Sequence, residues 1–349
     1  MRVLLVSDSP ATRSACGALA TALESAGAEV LVDAPLGLEA LSCSDLLLDL
    51  DGVGLFINPA QVPPFLQRLR QAAALRGRTP VAVFSGPSTP LVGDDLAMDL
   101  LPRLGVDLLC LQGPRQQEEL ADLVRTCGQS PPPTALLGLW GLAPKLPAAA
   151  PGSRPRRLVF LEQAMLPPAP GARLRLLEVL ERLCSSSPDW EVILQSDPLQ
   201  DGLGHAGNHA GSAAVEDSEP SLGALLEQRS PLANLRLAPP SDWARSLDRA
   251  GVCATISSPL LWEVLGRELP LLLLGDYGIR SDMQGPLLFG SGLMGRITSC
   301  ENLEELLHLP SPNPGWLREL GWEIGTGPSA LIQWLADGAT QATDLAEQA

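Results

Sequence analysis

The sequence predicts an α/β fold: two Rossmann-like domains with parallel sheets facing a central cleft of nucleotide size. Three observations predict it. Short continuous apolar runs alternate with amphipathic helical stretches, and the alternation restarts after a Pro-rich interruption at Pro147–Pro155. The length, 349 residues, exceeds one ordinary core and suits two domains of about 150 residues each.

Val3–Val6 is an unbroken apolar run, as expected of a strand buried on both faces. Ala11–Ala26 follows as an Ala/Leu-rich helix closed by Gly27. Strands are predicted at Glu29–Val32, Gly54–Ile57, Val81–Phe84 and Val106–Leu111, with helices at Phe65–Leu75 and Arg115–Cys127 between them. Such interleaving means βαβ units and a parallel sheet. Gly128–Pro133 and Pro147–Pro155 then break the pattern around an apolar stretch, Ala135–Lys145. The second break is the better boundary, because its composition continues neither element. Beyond it come strands at Leu158–Leu161, Glu191–Leu194, Leu235–Leu237, Cys253–Ile256 and Leu271–Leu274. Helices are predicted at Ala172–Leu183, Trp243–Ala250, Pro259–Arg267, Pro314–Leu320 and from Ser329 to Ala336 or beyond. The expected division is 1–150, 156–310, and a helical segment 311–349 that packs back on the first domain.

Composition narrows the functions. Hydrophobic residues make up 45% and charged residues 18%, enough apolar material for real cores and no case for global disorder. A net charge of -16 repels phosphate backbones, so no nucleic-acid partner is expected. Lys145 is the only lysine; an anionic ligand must therefore be held by arginine, backbone amides or helix N-termini. The seven cysteines are scattered, with no C-x-x-C pair, which argues against zinc and redox motifs and fits a reducing compartment. No metal or other cofactor is expected. The first apolar run stops at Ser7-Asp8-Ser9-Pro10, too short for a signal peptide, and no stretch approaches the ~18 apolar residues of a membrane span. A cytoplasmic protein is the expectation; oligomeric state is not legible.

The stretch richest in chemistry is Val252–Gly295. An apolar strand ends in Ser257-Ser258, and Pro259 opens a helix, a strong N-terminus signal. A helix starting at a strand's carboxyl end aims amides and positive dipole outward, a phosphate site needing no lysine. Glu263, five residues after Ser258, could accept hydrogen bonds from a ribose or sugar hydroxyl pair. The plainer alternative, a serine cap followed by a solvated or ion-paired glutamate, stays open. A second strand terminus carries Gly275-Asp276-Tyr277-Gly278, and Phe289-Gly290-Ser291-Gly292 is a glycine-rich turn.

These residues carry a resemblance. ATISSPLLWEVLGRELPLLLLGDYGIRSDMQGPLLFGSGLMG is similar to the carboxyl-terminal core of a little-characterised bacterial family assigned as glycosyltransferases, known mainly from actinobacteria and cyanobacteria. LVFLEQAMLPPAPGARLRLLEVLERLCSSSPDWEVIL and VDLLCLQGPRQQEEL with LLGLWGL match the same pattern. The resemblance spans roughly Val81 to Ile297 and implies a GT-B-type fold. More distantly, the serine-to-glutamate turn is similar to the donor site of sugar-nucleotide epimerases and of teichoic-acid and capsule transferases. Carried over by position, it implies Ser257 and Ser258 on phosphate, Glu263 on ribose, and Tyr277, Gly278 and Ser291 around the nucleotide. Ser9 and Gln163 would line the cleft. The implied partners are a nucleotide-sugar donor and a surface-polysaccharide or glycolipid acceptor, without a metal.

The family pattern weakens at one point. Where relatives carry basic residues after the strand Glu191–Leu194, this chain has Gln195-Ser196-Asp197-Pro198, which removes charge that would stabilise a departing diphosphate. His205 and His209 sit in Gly-rich sequence that reads as a surface loop rather than a metal site. Candidates for the base that takes an acceptor proton are Asp8, Glu162, His205, His209 and Asp276, with Asp8 and Asp276 carried forward. Two further readings remain: a catalytically degenerate binding or scaffold protein of the same fold, and a sugar-nucleotide epimerase. The sugar-transfer reading depends on the turn after Cys253–Ile256 offering bare amides to an anion.

Overall fold

The computed structural model describes residues 1–140, 154–163, 166–169, 171–196, 220–322 and 327–347. Lys145, most of Pro147–Pro155, Asp197, Pro198, His205 and His209 lie outside them. The chain forms two compact units, Met1–Leu142 with Pro314–Ala349, and Ala143–Asn313.

The first unit opens with β1 (Arg2–Ser7), α1 (Pro10–Ser25), β2 (Glu29–Val32), α2 (Leu38–Ser42), β3 (Gly52–Phe56) and α3 (Val62–Leu75). β4 (Ala82–Ser85), α4 (Gly93–Leu100), β5 (Leu108–Leu111), α5 (Pro114–Cys127) and β6 (Thr134–Leu136) follow. All strands run parallel, in the order β2-β1-β3-β4-β5-β6. Side chains alternate across a strand, so the unbroken apolar run of β1 feeds two cores at once. Val3 and Leu5 pack with Leu19 and Leu23 of α1, while Leu4 and Val6 pack with Phe65 and Leu69 of α3. β5 divides the same way, Leu108 and Cys110 to one face and Leu109 and Leu111 to the other. Gly54 has a packing reason: a Cβ there would stand 2.6 Å from the Phe84 ring and 2.8 Å from Leu5.

The second unit contains β7 (Arg157–Glu162), α6 (Ala172–Ser186), β8 (Glu191–Ser196), α7 (Leu222–Glu227), β9 (Leu235–Ala238) and α8 (Trp243–Asp248). It continues with β10 (Val252–Thr255), α9 (Leu261–Gly266), β11 (Leu271–Leu274), α10 (Gly285–Leu288) and β12 (Met294–Gly295). Its parallel sheet has the order β12-β11-β10-β7-β8-β9. The apolar stripe of α6, Leu176, Leu177, Leu180 and Leu183, covers Leu158, Phe160, Val192 and Leu194, and each such buried side chain contributes about 1.5–3 kcal/mol. α11 (Pro314–Leu320) and α12 (Gly327–Glu347) belong to the first unit. Leu331 and Leu335 of α12 enter the core beneath α1, and Leu335 occupies the space a side chain on Gly52 would need. Among the described residues no helix is long and apolar enough to cross a membrane.

Candidate functional site

Each sheet has one place where the chain leaves a strand in both directions. In the first it is β1, flanked by β2 and β3; in the second it is β7, flanked by β8 and β10. Neighbouring loops diverge there, opening a crevice at the carboxyl ends where ligands of doubly wound sheets bind. The residues predicted from sequence fall on these two edges, except Ser291, which precedes β12 and so lies at the amino end of the second sheet.

At the second unit's edge, Gln163 follows β7 and Ser257 follows β10. The Ser257 amide donates to Gln163 Oε1 at 2.9 Å, and its hydroxyl lies 3.4 Å from both Gln163 side-chain polar atoms. One glutamine thus fastens the two strands of the switch point. The expectation of bare amides beyond β10 is not met. The Ser258 amide donates to Thr255 Oγ1 at 3.1 Å and that of Leu260 to Ser258 Oγ at 3.3 Å. Those of Leu261, Trp262 and Glu263 donate to the carbonyls of Ser258, Pro259 and Leu260. The helix begins at Leu261, not Pro259, and is six residues long, because the intervening residues form the turn that consumes these donors. Ser257 and Ser258 are 1% and 0% exposed; as folded, both serve the turn itself. Glu263 consequently lies in the first turn of α9, half-buried, with Arg267 Nη2 4.0 Å away. Burial raises its pKa, and Arg267 opposes that.

Asp276 is committed. Its carboxylate accepts from the amides of Ile297 (3.0 Å) and Thr298 (3.2 Å) and from the Thr298 hydroxyl. It therefore caps the turn that follows β12. Tyr277 beside it is half-buried, its phenol pushed up to about 12 by burial and by Asp276, with Arg175 opposing. Gly278 has φ +81° and open space around its α-carbon. Ser291 is fully buried and caps Leu293 at 3.2 Å.

The residues that sequence reasoning passed over stand at the opening turn of α6. Gly171 precedes it with φ +67° and no side-chain cap, and no acidic residue occupies the first turn. Arg173 and Arg175 do instead. Arg175 is exposed, and its Nη1 reaches back over Gly171, 3.4 Å from where a Cβ would be. No acidic side chain pairs with it among the described residues. The signal was present in the run Ala-Arg-Leu-Arg, since cations are disfavoured at a helix's positive end. Glu162, a candidate base, is 3% exposed and accepts from Leu222, Gly223 and Ser196. Gln195 is fully buried: its amide donates to the carbonyls of Ser196 and Pro239, both at 3.1 Å, and accepts from Ser246 at 2.8 Å. The position read as a lost cation is a structural brace.

On the first unit's edge, Ser9 caps α1 through a reciprocal pair with Thr12, 3.1 Å each way. Asp8 is exposed and accepts from the Asn58 amide beyond β3, so it bridges the switch point rather than capping the helix. Among the described residues no group of three or more His, Cys, Asp or Glu side chains gathers as a metal site.

Two doubly wound parallel units, each with its polar side chains gathered at the carboxyl ends of a switch point, define the GT-B class of fold. The chain belongs to the family described as "Putative glycosyltransferase (DUF6716)", whose model matches residues 47–327. Among solved structures it is similar to a "putative UDP-N-acetylglucosamine 2-epimerase" from Listeria monocytogenes. That likeness has 13% identity over 95% of this chain and 94% of that one, with a TM-score of 0.54. It is also similar to a UDP-GlcNAc 2-epimerase from Neisseria meningitidis bound to UDP-GlcNAc, at 10% identity over 97% and 100%, TM-score 0.50. At such identities the likeness carries the fold alone. No curated protein matches the chain.

Proposed function

We propose that the protein transfers a sugar from a nucleotide-sugar donor to a hydroxyl of a glycan or glycolipid, with the donor held at the carboxyl edge of the second unit's sheet. With the amides of the β10 turn spent, the observation that carries this reading is instead the first turn of α6: a 15-residue helix without a side-chain cap, with an exposed arginine folded over its start. A cation there is disfavoured by about 0.3–1 kcal/mol unless an anion sits beside it. A diphosphate would supply that anion. Tyr277 and Gly278 would flank the nucleotide, Glu263 would take ribose hydroxyls, and Ser257 and Ser258 would brace the wall behind them.

In the reaction the bond from the sugar's anomeric carbon to the diphosphate oxygen breaks, and one from that carbon to the acceptor oxygen forms. Charge grows on the departing nucleoside diphosphate, where Arg175 and the helix terminus stabilise it without a metal. Removing one such group costs about 2.7–4 kcal/mol in comparable sites. The acceptor hydroxyl gives its proton to a general base. Thermal shift with CMP, UDP and GDP tests the reading: one nucleotide should stabilise the wild type and lose that effect in Arg175→Glu. No stabilisation by any of them would count against it.

The commitment of Asp276, a candidate base, to Ile297 and Thr298 favours a second reading, a binding protein of the same fold without turnover. It predicts nucleotide binding but no release of nucleoside diphosphate from any donor, with or without acceptor. An epimerase would instead change the donor sugar with no acceptor present.

A further inference from the structure

We propose that the first unit holds a second binding site, at the amino ends of its strands, for an amphiphile with an aliphatic chain and an uncharged, hydroxyl-rich head. The inference is independent of the donor reading. A cavity of about 720 Å³ lies there, a volume within the range of small-molecule sites. Asp51 before β3, Asp107 before β5, and Arg78 and Thr79 between α3 and β4 form its exposed rim. Its floor is apolar and buried: Leu47, Leu69, Ala72, Ala73 and Leu335. The sequence of α3 explains the space. Its buried side chains run Phe65, Leu66 and Leu69, then Ala72 and Ala73, so the later turns are too slim to fill the gap that larger residues close earlier. Besides Leu335, α12 adds the half-buried Trp334 to the lining.

Floor and rim make different demands on an occupant. Ser42, the buried hydroxyl in the lining, already donates to the Glu39 carbonyl at 2.7 Å. A polar group pushed down to the leucines would lose its water with no partner in exchange, so the part that enters the floor is aliphatic. The rim carries both signs of charge. Asp51 and Asp107 each engage one oxygen with a backbone amide, of Arg2 at 2.7 Å and of Val83 at 2.8 Å. The other oxygen of each accepts nothing among the described residues. Arg78 and Thr79 likewise make no side-chain hydrogen bond among them, whereas Arg76, in the same lining, is matched by Asp45 at 2.9 Å. A carboxylate head would meet two like charges, and an ammonium head would meet Arg78. Hydroxyls donate to the acids and accept from the guanidinium at once. The Trp334 indole offers a flat apolar surface for the face of a hydroxylated ring.

The test titrates the full chain with octyl glucoside, held below its micelle concentration, by calorimetry. Saturable binding is expected, and glucose without the chain should show none. Nonyl glucoside should bind about fourfold more tightly, the gain from burying one further methylene. Octanoate and octylammonium should each bind about tenfold more weakly than the glucoside. Arg78→Ala with Thr79→Val alters exposed groups that have no internal hydrogen bond, so the double variant should fold as the wild type does. It should weaken the glucoside about tenfold through the lost rim contacts. Ala73→Leu, which fills the floor, should abolish binding. In the wild type the ligand should shift the methyl NMR signals of Leu47, Leu69 and Leu335. Absence of saturable binding would overturn the proposal, and so would equal affinity for all three octyl compounds or an unchanged affinity in the double variant. Should Ala73→Leu fail to fold, the methyl signals decide: a ligand that binds without moving those three leucines would overturn it.

Discussion

The two switch points are fastened by different chemistry. In the first unit the fasteners are ions. Asp33 beyond β2 accepts from the Ser7 amide at 2.8 Å and from Arg13 Nε at 2.7 Å. Arg103, 3% exposed, holds Asp99 through two hydrogen bonds, at 2.8 and 3.1 Å. It also donates to the carbonyls of Leu55 (3.2 Å) and Ile57 (2.9 Å) and to Ser85 Oγ (2.5 Å), tying the ends of β3 and β4. In the second unit two neutral amides, Gln163 and Gln195, do the equivalent work. The lesson concerns spare charge. The first edge uses cations such as Arg13 and Arg103 to hold itself together, whereas at the second Gln163, Gln195 and the carboxylates Glu162 and Asp276 take backbone and hydroxyl donors, and Arg175 has no acidic partner among the described residues.

The largest expected effect tests the ionic fastening. Arg103→Ala leaves Asp99 half-buried without its partner and three acceptors short of a donor. It should destabilise the first unit by about 3–5 kcal/mol, read as a shift of its urea midpoint with the second unit's transition unmoved. A loss below 1 kcal/mol would make the network incidental. Next is Gln195→Lys, which places a cation where the second edge carries an amide. If the position is a brace, the variant should lose about 2–3 kcal/mol from a buried, poorly paired charge and gain no nucleotide affinity. Tighter nucleotide binding with intact stability would instead restore the reading of a lost ligand cation.

The smallest effect concerns pH. Burial alone would raise the Asp33 pKa, but the hydrogen bonds from Ser7 and the charge of Arg13 outweigh it, and the carboxyl sits below its ordinary value. A carboxylate depressed on folding contributes stability above the unfolded pKa and loses it as pH falls through the folded one. The wild type should therefore exceed Asp33→Asn by under about 1 kcal/mol at neutral pH. That gap should close only below roughly pH 4. A gap independent of pH would assign the bond to shape rather than charge.

Much of this architecture is legible in the apolar runs. Leu271–Leu274 is a strand at the bounds predicted, because an unbroken leucine run buried on two faces leaves few alternatives; Glu29–Val32, also at its predicted bounds, is an edge strand with Glu29 and Val32 exposed. The elements passed over are short. α4 is held by Leu96 and Leu100 entering the core, and β12 is two residues defined only by pairing with β11. Neither has a periodic signal of its own. At the site, sequence located the strand ends bearing Gln163, Ser257 and Tyr277, since those follow from where runs stop. It did not reveal that Gln163 meets Ser257, 94 positions away, nor that Glu162 is enclosed. It overrated the β10 turn because proline and serine announce a helix start without saying which acceptors its amides have already found.

The placement of α12 has a consequence for biosynthesis. Leu331 and Leu335 are 0% and 2% exposed in a core otherwise built from the first 140 residues. A ribosome must therefore finish every strand of the second sheet before it releases the wedge that completes the first. Domains mostly mature in order of emergence. Here the half made first is sealed after the half made second, and the growing polypeptide carries an open hydrophobic face until α12 arrives.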